Sequence, residues 1–178
     1  MVRVSLIIPA YNEATRITST LETVRDNLAK QGYNYEIIVV DDGSEDETAA
    51  CVQQSFPDVR LISYRPNRGK GYAVKMGVLK ASGNFRVYYD ADASTPIEEL
   101  EKLWPKFEAG ADIVIGSRAL ANSRIERRQP RLRRVMGRGY NLLLRLLGLT
   151  RFPDTQCGFK AISAPAALTL FPLLTIDR

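Results

Sequence analysis

Two aspartates one residue apart, Asp90 and Asp92, stand on either side of Ala91 directly after an apolar run. A hard divalent cation such as Mg²⁺ or Mn²⁺ takes one or two carboxylates together with phosphate oxygens and water. Such a cation neutralises negative charge on a departing phosphate group. The tripeptide alone is also typical of a solvated loop that caps a helix. Its position after a strand, with Ser94-Thr95-Pro96 opening a helix, favours a metal site.

A second acidic pair opens the segment Asp41-Asp42-Gly43-Ser44, again after an apolar run. Carboxylates at this point can accept hydrogen bonds from a nucleobase imide or from ribose hydroxyls. The alternative is a structural turn. Ser44 is predicted to cap the following helix, with Glu47 completing a capping box. The local pattern leaves the binding role and the structural role open.

The segment Asn67-Arg68-Gly69-Lys70-Gly71 precedes a predicted helix. It combines two cations, glycines that permit close approach of a ligand to the backbone, and a helix N-terminus, which together favour an anion site. The spacing differs from that of a phosphate-binding loop of ATPases, so that class is excluded. A basic turn without a ligand is an equally good explanation of the segment alone.

The C-terminal third of the chain is basic. Residues 118–178 carry 12 Lys and Arg against 3 Asp and Glu, a net charge of +9, whereas residues 1–117 carry 13 against 17, a net charge of −4. This asymmetry predicts an anionic partner such as a membrane surface, since arginine binds phosphate with two hydrogen bonds. A solvated face is the alternative. Nucleic acid is not expected, because aromatic residues that would stack on bases are not interleaved. Eight of these arginines lie within residues 118–138: Arg118, Arg124, Arg127, Arg128, Arg131, Arg133, Arg134 and Arg138.

Asp154 opens the segment Asp154-Thr155-Gln156-Cys157-Gly158-Phe159-Lys160 within this basic part. An acid there can deprotonate an acceptor or orient it, and the flanking positive charge favours the orienting role. The alternative is an ion pair with an arginine. The chain has no histidine. Histidine acid–base chemistry, Ser-His-Asp triads and histidine-ligated zinc are therefore excluded.

Predicted strands alternate with predicted helices along the first two thirds of the chain. This order is typical of an α/β fold with a mostly parallel sheet and helices on both faces. Ligands bind such sheets beyond the carboxyl ends of the strands, so the candidate residues are expected to meet on one rim. The strands are expected at 3–8, 36–40, 59–63, 84–89 and 112–116, and the helices at 13–30, 45–54, 70–81 and from Pro96 onward.

The basic residues 119–138 lead into a leucine-rich stretch at 140–149. A basic segment joined to such a stretch is typical of an element that lies at a membrane interface. The sequence contains no uncharged apolar run long enough to predict a transmembrane helix. The N-terminus is predicted to be the first strand and not a signal peptide.

The ordered motifs resemble those of the family-2 inverting glycosyltransferases, which have the GT-A fold. Within that family they are most similar to the dolichyl-phosphate β-glucosyltransferase and polyprenyl-phosphate glycosyltransferase branch. The resemblance covers almost the whole chain. The motifs are Ile7-Ile8-Pro9-Ala10-Tyr11-Asn12-Glu13, Val40-Asp41-Asp42-Gly43-Ser44, Asn67-Arg68-Gly69-Lys70-Gly71, Asp90-Ala91-Asp92, Gly116-Ser117-Arg118 and Asp154-Thr155-Gln156-Cys157-Gly158-Phe159-Lys160.

The resemblance implies a nucleotide-sugar donor such as UDP-glucose and a cofactor ion, Mg²⁺ or Mn²⁺, held by Asp90 and Asp92. It also implies that Asp154 and Arg118 are catalytic. Arg118, together with Arg131 or a neighbour, would meet phosphate groups. The nucleoside pocket would be lined by Pro9, Tyr11, Glu13 and Asp41, with Asp42, Arg68, Lys70, Asp90, Ala91, Arg131 and Gln156 as further substrate-binding residues.

The implied reaction transfers a hexose with inversion to a polyprenyl or dolichyl phosphate. We expect one GT-A domain over 1–178, in which 1–117 binds the donor and 118–178 faces the acceptor and an anionic membrane surface. The expected location is peripheral, at the cytoplasmic face of a membrane. Members of this branch continue beyond the point where this sequence ends, so a C-terminally truncated acceptor half is expected. The alternatives are an enzyme of the same fold with a soluble or polysaccharide acceptor, and a nucleotide-binding fragment without activity.

Overall fold

The computed structural model describes residues 3–117, 139, 147–148, 150 and 157–175. Backbone contacts divide the chain into two compact units, one formed by 1–114 with 159–178 and the other by 115–158. The first unit contains the predicted rim of polar residues. Among the described residues, no helix is both long enough and apolar enough to cross a membrane.

The first unit is an α/β fold, as the alternating pattern predicts. Its sheet has the order β3-β2-β1-β4-β6-β5. The strands are β1 (Val4–Ala10), β2 (Tyr35–Asp41), β3 (Arg60–Ser63), β4 (Phe85–Tyr88), β5 (Ile113–Ile115) and β6 (Lys160–Ser163). The helices are α1 (Ile17–Ala29), α2 (Thr48–Ser55), α3 (Lys70–Lys80), α4 (Trp104–Glu108) and α5 (Ala164–Leu170), with 3₁₀ turns at Ile97–Lys102 and Phe171–Leu173.

The central strand β1 pairs in parallel with β2 on one side and with β4 on the other. All seven of its residues are buried, which explains why it is apolar almost throughout. β3 continues the parallel set beyond β2. The carboxyl ends of these four strands therefore emerge on one edge of the sheet, which we call the carboxyl rim.

Helices cover both faces of the sheet. On one face, Ile7 and Ile38 pack in a buried cluster with Ala73 and Val78 of α3 and Ala167 of α5. Alternate strand residues point to opposite faces. On the other face, Phe85 contacts the rings of Trp104 and Phe107 from α4, with centroids 5.4 Å and 4.5 Å away.

Two expectations for the helices are corrected. The predicted helix at 13–30 begins only at Ile17. Before it, the backbone N–H groups of Glu13 and Ala14 donate to the side chains of Thr48 and Asp46. The helix expected from Pro96 is a 3₁₀ turn followed by the short α4. Pro105, near the start of α4, has no N–H to donate to the preceding turn, so one continuous α-helix cannot form.

One strand was not predicted. β6 contains only four residues and pairs antiparallel with β4, with Tyr88 opposite Lys160 and Phe85 opposite Ser163. Such a short segment carries little periodicity, and the exposed edge of β4 supplies its hydrogen-bond partners. The sheet is therefore mixed, although most of its pairs are parallel.

Gly77 marks the closest approach of α3 to the sheet. A Cβ at this position would lie 2.3 Å from Ile7 Cγ2 and 3.0 Å from Val40 Cγ2. We expect Gly77→Ala to lower the free energy of unfolding by about 1–3 kcal/mol, because overpacking a buried contact outweighs the better helix propensity of alanine. Urea denaturation measures this change. Glu22→Ala, at an exposed position of α1, is the matched control, and an equal stability of the two variants would contradict the packing.

Candidate functional site

The candidate residues that the structure describes lie at or near the carboxyl rim, where the alternating pattern predicts them. β1, β2 and β4 end at Ala10, Asp41 and Tyr88, and the chain passes from each into a polar loop. Two backbone hydrogen bonds hold the loops close to the sheet: Asp42 N donates to Ala10 O at 2.8 Å, and Tyr89 N donates to Ile7 O at 2.9 Å. Parallel pairing therefore brings three separate sequence segments to one place.

The loop after β1 is tied to the loop after β2 by side-chain hydrogen bonds. Asn12, whose φ is 55°, donates its N–H to Ser44 Oγ at 3.0 Å and accepts from Glu45 N at 2.9 Å. Glu13 N donates to Thr48 Oγ1 at 2.8 Å. Asparagine tolerates this left-handed backbone conformation better than most residues. The two loops consequently form one braced unit.

The predicted helix-capping role of Ser44 is wrong. α2 begins at Thr48, its N-cap position is Glu47, and no side chain caps it there. The Ser44 hydroxyl instead accepts from the β1 loop, and Asp46 accepts from Thr48 N at 3.0 Å. The local pattern predicts that the Ser44 hydroxyl bonds the first turn of α2, but in the structure it accepts a hydrogen bond from Asn12 N, 32 residues away.

Among the predicted nucleoside-pocket residues, only Tyr11 is widely exposed. Its side chain is 44% exposed, whereas Pro9 is buried within β1. The Glu13 carboxylate forms an ion pair with Arg16 at 2.7 Å. Tyr11 is therefore the member of this group that a ligand in solvent can reach most easily.

Asp41 and Asp42 are both buried, with 3% of each residue exposed. Asp41 accepts from Ser44 N at 3.1 Å and from Ser63 Oγ at 2.7 Å. Buried carboxylates require such donors, because removing an ionised group from water without compensation is costly. Asp41 thereby links the ends of β2 and β3.

The Asp42 carboxylate holds the loop after β3. Its Oδ1 accepts from Arg68 N at 2.8 Å, and its Oδ2 accepts from Asn67 Nδ2 at 3.0 Å. Asn67 Nδ2 also donates to the backbone carbonyl of Asp42 at 2.9 Å. Burial, and then the negative charge of Asp42, raise the pKa of the Tyr64 hydroxyl, which stays protonated beside the carboxylate. Asp42 thus fixes the position of the Asn67–Lys70 motif.

Gly43 allows these two loops to approach closely. Its φ is 75°, and a Cβ there would lie 2.9 Å from Asn67 N and 3.2 Å from Tyr64 O. Any side chain would therefore meet backbone atoms in a conformation that L-residues rarely adopt. The glycine of the Asp41-Asp42-Gly43-Ser44 motif is required by this contact.

An open cavity of about 540 Å³ lies between the braced loops. Sequence reasoning did not assign Glu45 or Arg65 to the site, yet both line this cavity. Arg65 Nη2 also donates to Ser44 O at 3.1 Å. The signal that could have found Arg65 is its position two residues beyond the end of β3, on the same rim. The lining residues are Tyr11, Gly43, Glu45, Arg65, Pro66 and Asn67.

The basic motif places its two cations differently. The Arg68 guanidinium stacks on the ring of Tyr72, 3.7 Å from its centroid, and Tyr72 contacts Tyr64 edge to face. Lys70, the first residue of α3, reaches across to β4, where Nζ lies 2.6 Å from Asp90 Oδ1. Lys70 is therefore in contact with the acidic motif.

Asp90 and Asp92 occupy different environments. Asp90 is 20% exposed at the side chain and accepts from the Tyr88 hydroxyl as well as from Lys70. Asp92 is exposed, and its Oδ1 accepts from Ser94 N at 3.0 Å. Between them, the backbone carbonyl of Ala91 accepts from Thr20 Oγ1 at 2.8 Å. This bond anchors the loop to α1 and leaves both carboxylates at the rim.

The donor set suits a hard cation. Within the described parts of the chain, no cluster of three or more Asp, Glu, Cys or His side chains could enclose a metal ion. A pair of carboxylates matches Mg²⁺ or Mn²⁺ that completes its shell with phosphate oxygens and water. Asp90 and Asp92 therefore fit a metal that is bound together with a phosphate ligand.

Four predicted site residues lie outside the described residues: Arg118, Arg131, Asp154 and Gln156. The same holds for most of the basic and leucine-rich stretch between 118 and 149. Their roles remain predictions.

Comparison with protein families matches residues 5–171 to the model of glycosyl transferase family 2. The chain belongs to that family. The resemblance inferred from the ordered motifs is thereby confirmed.

Glycosyl transferase family 2 relatives of the chain include three dolichyl-phosphate β-glucosyltransferases. The protein from Trichomonas vaginalis, ALG5C, is 36% identical over 98% of this chain and 56% of its own length. The protein from Dictyostelium discoideum is 36% identical over 98% and 58%, and that from Saccharomyces cerevisiae is 34% identical over 96% and 57%. The chain therefore spans less than two thirds of the length of these relatives.

Solved structures share the fold. Mannosyl-3-phosphoglycerate synthase from Rubrobacter xylanophilus matches 93% of this chain and 54% of its own, with a TM-score of 0.69 and 21% identity. Glucosyl-3-phosphoglycerate synthase from Mycobacterium tuberculosis, in complex with Mn²⁺ and UDP-glucose, matches 92% and 56%, with a TM-score of 0.66 and 23% identity. At this identity the likeness concerns the fold, which confirms the predicted GT-A architecture.

Asp42 offers a test of how the rim is held together. We expect Asp42→Ala to lower the free energy of unfolding by about 1–3 kcal/mol, because the part-buried hydrogen bonds from Asn67 and Arg68 lose their acceptor. Hydrogen exchange at the Arg68 amide should accelerate, since that N–H donates to Asp42 Oδ1. Urea denaturation and amide exchange measure the two effects.

The control for this variant is Asp26→Ala, because Asp26 is exposed on α1. Asp42 does not hold the loop if the Asp42→Ala variant unfolds at the same urea concentration as the control and its Arg68 amide exchanges as slowly as in the unaltered protein.

Proposed function

We propose that this chain provides the donor site of a glycosyltransferase that transfers glucose from UDP-glucose, with inversion, to a polyprenyl or dolichyl phosphate. The observation that carries the proposal is the joint position of Asp90, Asp92 and Lys70 at the carboxyl rim. Family membership supports a glycosyltransferase activity. The sequence relatives named as dolichyl-phosphate β-glucosyltransferases support glucose as the transferred sugar and dolichyl phosphate as the acceptor.

The cavity beside Tyr11 is the proposed nucleoside site. The exposed ring of Tyr11 offers a face for stacking a base, and Asn67 and Glu45 supply polar groups at the edge of the cavity. Asp41 and Asp42 hold the loops around this cavity in place, because their carboxylates accept hydrogen bonds from Ser44 N and Arg68 N. Sugar specificity would then depend on groups beyond the cavity.

The Asp90 and Asp92 carboxylates are the proposed ligands of Mg²⁺ or Mn²⁺. Such an ion would neutralise the charge on the departing nucleoside diphosphate. Lys70 lies beside these carboxylates and can contact the same phosphate oxygens. Arg118, Arg131 and Gln156 are proposed to complete the contacts to phosphate and sugar.

A phosphate acceptor is already ionised at neutral pH. It therefore requires positioning and charge stabilisation more than a strong base, which agrees with a chain that contains no histidine. Asp154 is proposed to orient the acceptor. The basic residues 118–138 are proposed to contact the anionic headgroups of a membrane, with the protein lying peripherally on its cytoplasmic face.

A soluble acceptor such as 3-phosphoglycerate is a second candidate, because solved structures that share the fold are named as mannosyl- and glucosyl-3-phosphoglycerate synthases. An assay that offers radiolabelled UDP-glucose with either dolichyl phosphate in micelles or 3-phosphoglycerate separates the two. Labelled lipid alone supports the proposal. Labelled glucosyl-3-phosphoglycerate alone supports the second candidate.

Donor binding is tested by calorimetric titration of UDP-glucose with and without MnCl₂. We expect binding that depends on Mn²⁺, and we expect Asp92→Asn to weaken it by about tenfold or more, which is about 1.4 kcal/mol. Asp92 is the better position for the substitution, because Asp90 also bonds Tyr88 and Lys70. Asp26→Asn on the exposed face of α1 is the control. Failure to bind any UDP-, GDP- or dTDP-sugar in the presence of Mn²⁺ would refute the proposal.

A further inference from the structure

Lys70 forms an ion pair with Asp90, one of the two carboxylates of the Asp90-Ala91-Asp92 motif. Its Nζ lies 2.6 Å from Asp90 Oδ1, and the Tyr88 hydroxyl donates to the same oxygen. Nζ also lies 5.4 Å from the centroid of the Tyr88 ring, an added cation–π contact. The ammonium group therefore stands where positive charge is stabilised by both a carboxylate and a ring face.

The lysine is placed so that it can leave this position. Its side chain is 62% exposed, compared with 20% for Asp90. It begins α3 directly after Gly69, so its backbone is fixed while four methylene groups remain free to rotate. The ammonium group can move by several ångströms without any change in the sheet or in α3.

A divalent cation and the Lys70 ammonium compete for Asp90. Two positive charges a few ångströms apart repel each other strongly at a partly buried site. In the absence of other anions, a metal ion that binds Asp90 must therefore either displace the Lys70 ammonium or bind more weakly because of its repulsion. Asp92, which is exposed, pairs with no cation in the described part of the chain and does not impose the same competition.

A diphosphate removes this conflict, because its oxygens can accept both cations at once. We propose that Lys70 exchanges between Asp90 and the donor diphosphate, so that the metal ion and the diphosphate bind cooperatively. The inference rests on the proposed donor site. In the free protein Lys70 suppresses metal binding, and in the complex it stabilises the phosphate.

Such coupling is reciprocal. If UDP tightens Mn²⁺ binding by a given factor, Mn²⁺ tightens UDP binding by the same factor. Removing the ammonium should therefore affect the two states in opposite directions. Metal binding to the free protein improves, while the gain on adding UDP becomes smaller.

The test measures free Mn²⁺ by electron paramagnetic resonance during titration of the whole chain, with and without saturating UDP. For the unaltered protein we expect UDP to tighten Mn²⁺ binding by about tenfold or more. For Lys70→Met we expect Mn²⁺ alone to bind about three- to tenfold more tightly than to the unaltered protein, and the enhancement by UDP to fall to about threefold or less.

Lys80→Met is the matched control, because Lys80 is exposed at the far end of the same helix and its loss changes the net charge equally. An equal gain in Mn²⁺ affinity for both variants would show a general charge effect and overturn the exchange. So would a Lys70→Met variant whose affinity for Mn²⁺ alone is unchanged or lower. If the unaltered protein binds Mn²⁺ and UDP independently, the exchange is refuted while the donor site stands. If it binds no UDP with Mn²⁺, the proposed function fails as well.

Discussion

β1 pairs in parallel with β2 on one side and with β4 on the other, and the position of every described site residue depends on that pairing. Parallel neighbours end on the same edge of a sheet, so three loops that are distant in sequence begin within reach of one another. α3 presses against β1 at Gly77 and thereby delivers Lys70 to the same edge. The positions of the polar side chains at the carboxyl rim thus depend on how β1 pairs with its neighbours and packs against α3.

Acidic residues at this rim divide into two groups by burial. Asp41 and Asp42 are 3% exposed and are satisfied by hydrogen bonds from backbone and side-chain donors. Asp90 and Asp92 retain access to solvent, and Asp90 pairs with the exposed Lys70. Buried, fully bonded carboxylates brace loops, whereas accessible ones can exchange partners with a ligand. We therefore assign a structural role to Asp41 and Asp42 and a ligand-binding role to Asp90 and Asp92.

The strands of the parallel set could be predicted from the sequence to within one or two residues, because burial on both faces imposes long apolar runs such as that of β1. The convergence of the motifs could be predicted for the same reason. The partners of individual side chains could not. Ser44 bonds Asn12 rather than its own helix, and this choice depends on a contact that spans 32 residues. The pairing of β6 with β4 and the position of Arg65 also depend on tertiary structure.

The rim formed by the β1, β2, β3 and β4 loops is proposed to bind a nucleoside diphosphate with a divalent cation. Amide chemical shifts of the ¹⁵N-labelled chain, recorded during titration with UDP and Mg²⁺, report where such a ligand binds. We expect the largest changes at Asn12, Gly43, Asn67 and Ala91, while amides at the opposite edge of the sheet, such as Gly83, change little. Shifts concentrated at that opposite edge, or none at all at saturating ligand, would contradict it.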